Sequence, residues 1–466
     1  MSVNVLRKIC GISLLGIGFT LSSSPYCEVL QFKNVNVITM EQEQVLDGYQ
    51  VIVNNGVITA IKPDSEAAPE NIDRVIDAKG YYMLPGLSDT HFHQHGGDYH
   101  EYQLQFKSLI ANGVTNVRSM AEWSEQDTIA IRYSADANKI LAPYYYTTGP
   151  QLAHYNMKNP QDAINMVRFH KDRGYDFIKV HGDFDTETYF TLLREAEREG
   201  IPVTGHAQRK QPLEYSLRMY GLAHMEELVV VLSDEENLKI VDLDPETAKS
   251  IAQQVKDSGI FISPTLSIIA GIQNYTDDAK FEKMKAKEAS KYISWKEYER
   301  FTNPENQTYY SPFFRTEKVL KYVDDLIKAN TILTKYLNDA GVPLLVGTDN
   351  YGFQITGFSI HDELQLMHEA GMSNYDVLKA ATINSARFLK RQSTAGTISV
   401  GKEAEFILLS ENPLSDIKNT KSIQGVMLRN QYFDRAGLDA MLDEVLKARQ
   451  AEFEDAAQAA SKKAQQ

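Results

Sequence analysis

Residues 177–206 read FIKVHGDFDTETYFTLLREAEREGIPVTGH, and the fold class follows from how that stretch divides. FIKV is a short apolar run of strand length. Tyr189, Leu192, Leu193 and Ala196 then recur on one face of a 3.6-residue helix, Gly200 supplies a stop, and IPVTGH returns as a strand. The same rhythm precedes it: Leu104, Phe106, Leu109 and Ile110 fit one helical face, Asn112 and Gly113 end the helix, and VTNV follows. Repeated strand–helix–strand units predict an α/β protein built on parallel strands, closed or open.

The chain ends have a different texture. VLQFKNVNVITM, YQVIVNNGVITAI and RVIDAKGYYML lie between Val29 and Met83, with Asn55-Gly56 as a hairpin signal. Short strands return between Gly396 and Phe433. The two ends are predicted to form one small β-sandwich, residues 27–84 and 395–435, flanking a catalytic domain at 85–394. Charge and residues such as Tyr309, Tyr310, Pro312 and Phe313 break the rhythm between Asn274 and Phe314, which reads either as an insertion able to cover the active face or as a surface helical excursion. Residues 436–466, rich in Ala, Lys, Glu and Gln, read as a helical tail that frays.

The first 26 residues carry Arg7 and Lys8, an apolar run from Ile9 to Leu21, then three serines, the order of a secretory signal peptide. The run is shorter than the ~20 residues that span a bilayer, so export to a periplasmic or extracellular location, with no stable membrane insertion after signal removal, is the expectation. The only two cysteines, Cys10 and Cys27, lie in or beside that segment, leaving no internal disulfide and no thiolate metal ligand in the mature chain. A formal charge of −14 argues against a nucleic-acid partner. A small-molecule substrate is expected, and a homo-oligomer is left open.

LPGLSDTHFH, residues 84–93, delivers Asp89, His91 and His93 at alternate positions of an apolar strand, hence on one face. Two imidazoles so spaced can grip one metal ion. Four further candidates each end an apolar run: Lys179 ends FIK, His206 ends VTGH, His224 ends GLAH and Asp349 ends VPLLVGTD. Functional side chains converge at strand C-termini in a (β/α)8 barrel, which makes a TIM-like barrel the predicted catalytic domain.

With these residues in place the chain resembles the amidohydrolase superfamily, in its imidazolonepropionase-like and Xaa-Pro or Xaa-Arg dipeptidase-like branch. PGLSDTHFH, the 177–206 unit, LLVGTDN, HDELQLMHEAGMSNYDVLKAATINSARFL and GTISVGKEAEFILLSENPL carry the resemblance, from Val29 to about Ile417. It implies two divalent metal ions, zinc by default: His91, His93 and Asp349 on the first, His206 and His224 on the second, and Lys179 bridging as a carbamate. It also implies hydrolysis of a carbon–nitrogen bond (amide, cyclic amide, small dipeptide or N-acyl amino acid) by a metal-bound hydroxide, with Asp349 moving the proton to the leaving nitrogen. A lactonase or phosphotriesterase would use the same site. A non-catalytic barrel protein would have lost ligands, and none is missing.

Three residues are candidate substrate contacts: His154 and Tyr155 in TGPQLAHYN, and Arg118 at the end of VTNVR. His181 reads as support for Lys179, and His95 as either a substrate contact or a surface group. LAHMEEL lacks the glycine usual in relatives soon after the histidine, and Ser119 replaces an acidic residue, both bearing on pocket shape.

Overall fold

The computed structural model describes residues 28–234, 237–306 and 315–464. The segment read as a signal peptide, both cysteines, and Tyr309, Tyr310, Pro312 and Phe313 lie outside the described residues. No described helix is long and apolar enough to cross a membrane.

Strands β1 (Val29–Val37), β2 (Leu46–Asn54), β3 (Val57–Pro63), β4 (Arg74–Asp77) and β5 (Tyr82–Pro85) open the chain. Between helices come β6 (Leu87–Phe92), β7 (Val114–Ser119), β8 (Tyr144–Thr147), β9 (Ile178–Val180), β10 (Val203–Gly205), β11 (Gly221–Ala223) and β12 (Phe261–Ser263). Strands β13 (Phe406–Leu409), β14 (Ile423–Leu428) and β15 (Gln431–Asp434) return near the end.

The 177–206 unit forms as read. Asp185 caps the helix Thr186–Glu199 by accepting from Thr188 N at 3.0 Å, and Gly200 ends it in the left-handed region at φ 69°. Tyr189, Leu192 and Ala196 bury one face, and the helix returns the chain so that Ile178, Lys179 and Val180 pair in parallel with Val203, Thr204 and Gly205. Gly205 is required there, because a Cβ would meet the Val180 carbonyl oxygen at 2.1 Å.

The inner strands form two parallel sheets, β6-β7-β8 and β9-β10-β11-β12. Backbone hydrogen bonds continue past their edges. Leu152 N donates to Lys179 O at 2.7 Å and His181 N to Leu152 O at 2.8 Å, beside β9. At the far side Leu345 N reaches Ile262 O (2.8 Å), Thr90 N reaches Val346 O (2.8 Å) and Asp349 N reaches His91 O (2.7 Å), so the 344–349 segment lies between β12 and β6.

Both chain ends join one eight-stranded sheet, ordered β15-β14-β13-β5-β1-β2-β3 with β4 on β1. Asn55 and Gly56 turn β2 into β3 with φ of 49° and 75°, the two positive values a type I′ hairpin needs. Strand β1 exchanges partners along its length, pairing with β4 over residues 30–33 and with β5 at Asn36 and Val37. Phe32 meets the rings of Phe406 at 5.0 Å and Tyr432 at 5.1 Å, joining the N-terminal strands to the C-terminal ones.

Two further segments are helical. The C-terminal helix runs unbroken from Arg435 to Ala464, and Leu438, Met441 and Val445 are buried along its inner face, so its first turns dock instead of fraying. The described part of the expected insertion is helical, at Asp278–Lys285 and Trp295–Thr302. Its Phe281, Met284 and Ile293 pack with Tyr275, Phe353 and Ile355, placing it over the segment that follows Asp349.

Candidate metal centre

The alternation along β6 sends Asp89, His91 and His93 to one side, and each meets the 344–349 segment or its continuation. Asp89 accepts from Thr348 Oγ1 at 2.6 Å, Thr348 N at 3.0 Å and His91 N at 3.2 Å, and burial raises its pKa to about 6 against those hydrogen bonds. It is a fastener between β6 and the last inner segment. Gly347 lets the two backbones approach, since a Cβ would lie 2.5 Å from His91 Cβ and 2.6 Å from Ser263 Oγ. Asn350 then grips His93, accepting from its N–H at 2.6 Å and donating to its carbonyl at 3.1 Å.

Asp349 sits opposite both histidines. Its Oδ1 is 3.6 Å from His91 Nε2 and 3.1 Å from His93 Nε2, and the three side chains offer ligand atoms within 4.8 Å of one another. Burial holds His91 well below its ordinary pKa and lowers His93 to about 4, so both imidazoles are neutral and keep a lone pair to donate. Both ring nitrogens of His91 and Nδ1 of His93 are buried without a hydrogen-bond partner. Orphaned polar atoms of this kind cost ~1–3 kcal/mol each, a debt that coordination of a cation would relieve. The donor set therefore fits a divalent metal.

His206 and His224 extend the cluster. The His224 ring lies 4.5 Å from His91 and 4.7 Å from His206. Their Nδ1 atoms are already engaged, His206 with Glu227 Oε1 at 2.7 Å and His224 with Thr265 Oγ1 at 2.8 Å. Those contacts fix the orientation of both rings beside His91. Burial lowers His224 to about 3. Arg209 clamps Glu227 through Nε (3.0 Å) and Nη2 (2.7 Å); although burial pushes Glu227 up, His206 and Arg209 hold it below the ordinary value. Lys179 is buried at 2% exposure, and that burial, partly opposed by Asp349, lowers its ammonium pKa to about 8. The His181 ring lies 4.3 Å from His206, flanking that ligand candidate.

Three non-glycine residues here take left-handed backbone: His224 at φ 71°, Thr265 at 49° and Asp349 at 47°. Each such residue costs ~1–3 kcal/mol, which the surrounding hydrogen bonds must offset.

Arg118 is buried at 1% exposure, donating from Nε to Thr90 O at 2.7 Å, with the guanidinium 4.5 Å from the Phe388 ring and 5.1 Å from Phe177, while its Nη1 is buried without a hydrogen-bond partner. Phe177 and Phe388 stack on each other at 5.1 Å, and the Arg118 cation packs against that pair. His154 and Tyr155 are exposed in a turn, with their rings 5.9 Å apart.

Sequence reading missed the partners. Glu227 had a faint signal, as one of two adjacent acids, Glu226 and Glu227, set in the apolar run after His224, because a buried carboxylate needs a cation or donor. Thr265, Asn350 and Tyr351 had none. The Tyr351 ring lies 4.7 Å from His93 and 5.3 Å from His95, and forms part of a cleft of about 590 Å³ lined also by Trp123, Glu297 and Arg300. Glu227→Gln should keep the fold and weaken metal binding ~10–100-fold by releasing His206, readable by metal titration with circular dichroism as control; unaltered affinity would contradict the clamp.

Residues 82–432 match the amidohydrolase family, and the chain belongs to it. By class it is a hydrolase of carbon–nitrogen bonds. It is similar to a 5-methylthioadenosine/S-adenosylhomocysteine deaminase of Caldanaerobacter subterraneus, 24% identical over 434 residues, covering 82% of this chain and 85% of the relative. An imidazolonepropionase of Bacillus cereus is 21% identical over 433 residues, covering 85% and 89%. Among solved structures a putative prolidase from Bifidobacterium longum superposes with a TM-score of 0.67 at 21% identity, over 90% of this chain and 99% of the other. That last likeness speaks to the fold, a TIM-barrel-like α/β arrangement.

Proposed function

We propose that this chain is a metal-dependent amidohydrolase cleaving a carbon–nitrogen bond of a small molecule, an amide, cyclic amide, small dipeptide or N-acyl amino acid. The observation that carries the reading is the His91, His93 and Asp349 cluster with its orphaned imidazole nitrogens. The names of the deaminase and imidazolonepropionase relatives agree with it. In this reading two divalent ions, zinc by default, would be held by His91, His93 and Asp349 and by His206 and His224, with Lys179 carboxylated between them. Burial of the lysine favours the neutral amine that carboxylation needs. The two inner sheets and the 344–349 segment would close into one (β/α)8 barrel over residues 85–394, and the outer sheet would fold over as a small sandwich of residues 27–84 and 395–435.

Bound cations would supply an acidified water and polarise the scissile carbonyl. The remaining work falls to the chain. Asp349, facing both histidines, accepts the proton of the attacking water and delivers it to the leaving nitrogen. Glu227, an acceptor, holds His206 in one tautomer, and Thr265 fixes the orientation of the His224 ring. The cleft beside Tyr351 receives the substrate beyond the scissile bond, with the helix Trp295–Thr302 as one wall.

Turnover of a panel of amides, lactones and phosphotriesters, with zinc and after chelation, tests the proposal. Amide turnover abolished by chelation and restored by metal is the expected result. Preferred lactone or phosphotriester turnover would replace the reading with a lactonase or phosphotriesterase, and undiminished turnover after chelation would overturn it.

We also propose export. N-terminal sequencing of protein recovered outside the cytoplasm should begin beyond Ser24, whereas intact Met1 in the cytosol would refute it.

A further inference from the structure

The cleft beside the metal centre has two walls from distant parts of the chain, and one buried guanidinium joins them. Arg449, on the C-terminal helix, is 4% exposed. It donates from Nη1 to Glu101 Oε2 (2.7 Å), from Nη2 to Glu101 Oε1 (2.8 Å) and from Nη1 to Glu452 Oε1 (2.5 Å).

Each carboxylate leads to a different wall. Glu101 Oε1 also accepts from Gln105 Nε2 at 2.6 Å, and Gln105 brackets His95 by accepting its N–H at 3.0 Å and donating to its carbonyl at 2.9 Å. Gln105 Oε1 accepts from Gln94 Nε2 at 2.8 Å as well. Gln94 and His95 directly follow the ligand candidate His93 and line the cleft. On the other side Glu452 Oε2 accepts from Trp295 N at 2.8 Å, at the start of the helix Trp295–Thr302, while the Trp295 ring meets Phe453 edge-on at 5.1 Å. That helix contributes Lys296, Glu297 and Arg300 to the cleft, and Glu297 Oε2 accepts from Gly352 N at 2.8 Å, just beyond Asp349.

We propose that Arg449 is a positioning residue that sets the spacing between the wall carrying Gln94 and His95 and the wall formed by the helix Trp295–Thr302, so that the C-terminal helix governs which distal substrate groups are accepted. The inference rests on the amidohydrolase reading for its substrate and on geometry alone for the joint. Two facts favour positioning over general stabilisation. Buried ion clusters add little net stability when compared with apolar packing, because desolvation offsets much of their attraction. And the joint needs an arginine: a planar fork can serve three carboxylate oxygens at fixed angles, which a lysine ammonium on a flexible stem does not.

Arg449→Lys in the full, zinc-loaded chain is the test, since it retains the charge and avoids leaving two carboxylates unpaired. Zinc content should be unchanged, kcat should stay within about twofold, and KM for the best panel substrate should rise ~10-fold, the pattern of lost binding without lost chemistry. Amide hydrogen exchange should quicken ~10-fold or more at residues 94–98 and 294–302 and stay unchanged in the inner strands. Unaltered exchange at both walls would overturn the proposal, as would parallel loss of zinc and kcat, which would make the helix a support of the metal centre. If no panel compound is turned over, the amidohydrolase reading fails while the exchange measurement still decides the joint.

Discussion

Asp349→Asn should give a folded, metal-loaded protein whose turnover is lower by ~10²–10⁴, the range of a lost general base. The substitution is well suited to the position. Asparagine tolerates the left-handed backbone that Asp349 adopts at φ 47°, its N–H can still reach His91 O, and one side-chain oxygen remains to ligate. A purely structural aspartate would behave otherwise: loss of a helix cap costs ~0.5–2 kcal/mol and little activity. Asp349 caps no helix, however, for the next one begins at Ser359. Metal content, melting temperature and turnover on one preparation separate these outcomes, and near-normal turnover in the metal-replete variant would refute the proton-transfer role.

His91→Ala and His93→Ala should each remove nearly all turnover together with the metal of the first site. The sharper signature lies in stability. Metal bound only to the folded state raises stability by ~2.7 kcal/mol at a free concentration of 100 Kd. Wild-type protein should therefore melt higher with zinc than after chelation, and both variants should lose the part of that increment due to the first ion. The chelated His91→Ala protein should lie closer to chelated wild type, since the imidazole it loses makes no hydrogen bond. Zinc-dependent stabilisation and zinc content undiminished from wild type in the double variant would overturn the ligand assignment.

Much of this was legible in the sequence because it is local. The period of Tyr189, Leu192 and Ala196, the stop at Gly200 and the hairpin at Asn55-Gly56 are set by backbone geometry within a few residues, and they stand in the structure where the pattern placed them. The clustering of His91, His93, His206, His224 and Asp349 was legible at one remove, from their shared position at the ends of apolar runs. Arg118 shares that position, but its contacts with Thr90 and Phe388 were not legible, because they are made by residues far away in the sequence. Thr265 and Asn350 were invisible for the same reason: nothing near them in sequence announces the imidazole or backbone they hold.

The fastening of β6 to the 344–349 segment also orders events in time. The hydrogen bond from Thr348 N to Asp89 spans 259 residues, so its loop closes only after nearly the whole catalytic domain has been laid down. A chain still emerging from the ribosome, or truncated before Val346, holds His91 and His93 with no carboxylate to face them. If Asp349 is the third ligand of the site, such a chain should take up metal weakly. Tight zinc uptake would then mark the moment when the two extremes of the domain have met, and a nascent or truncated product would be distinguishable from the finished enzyme by its inability to compete for the ion.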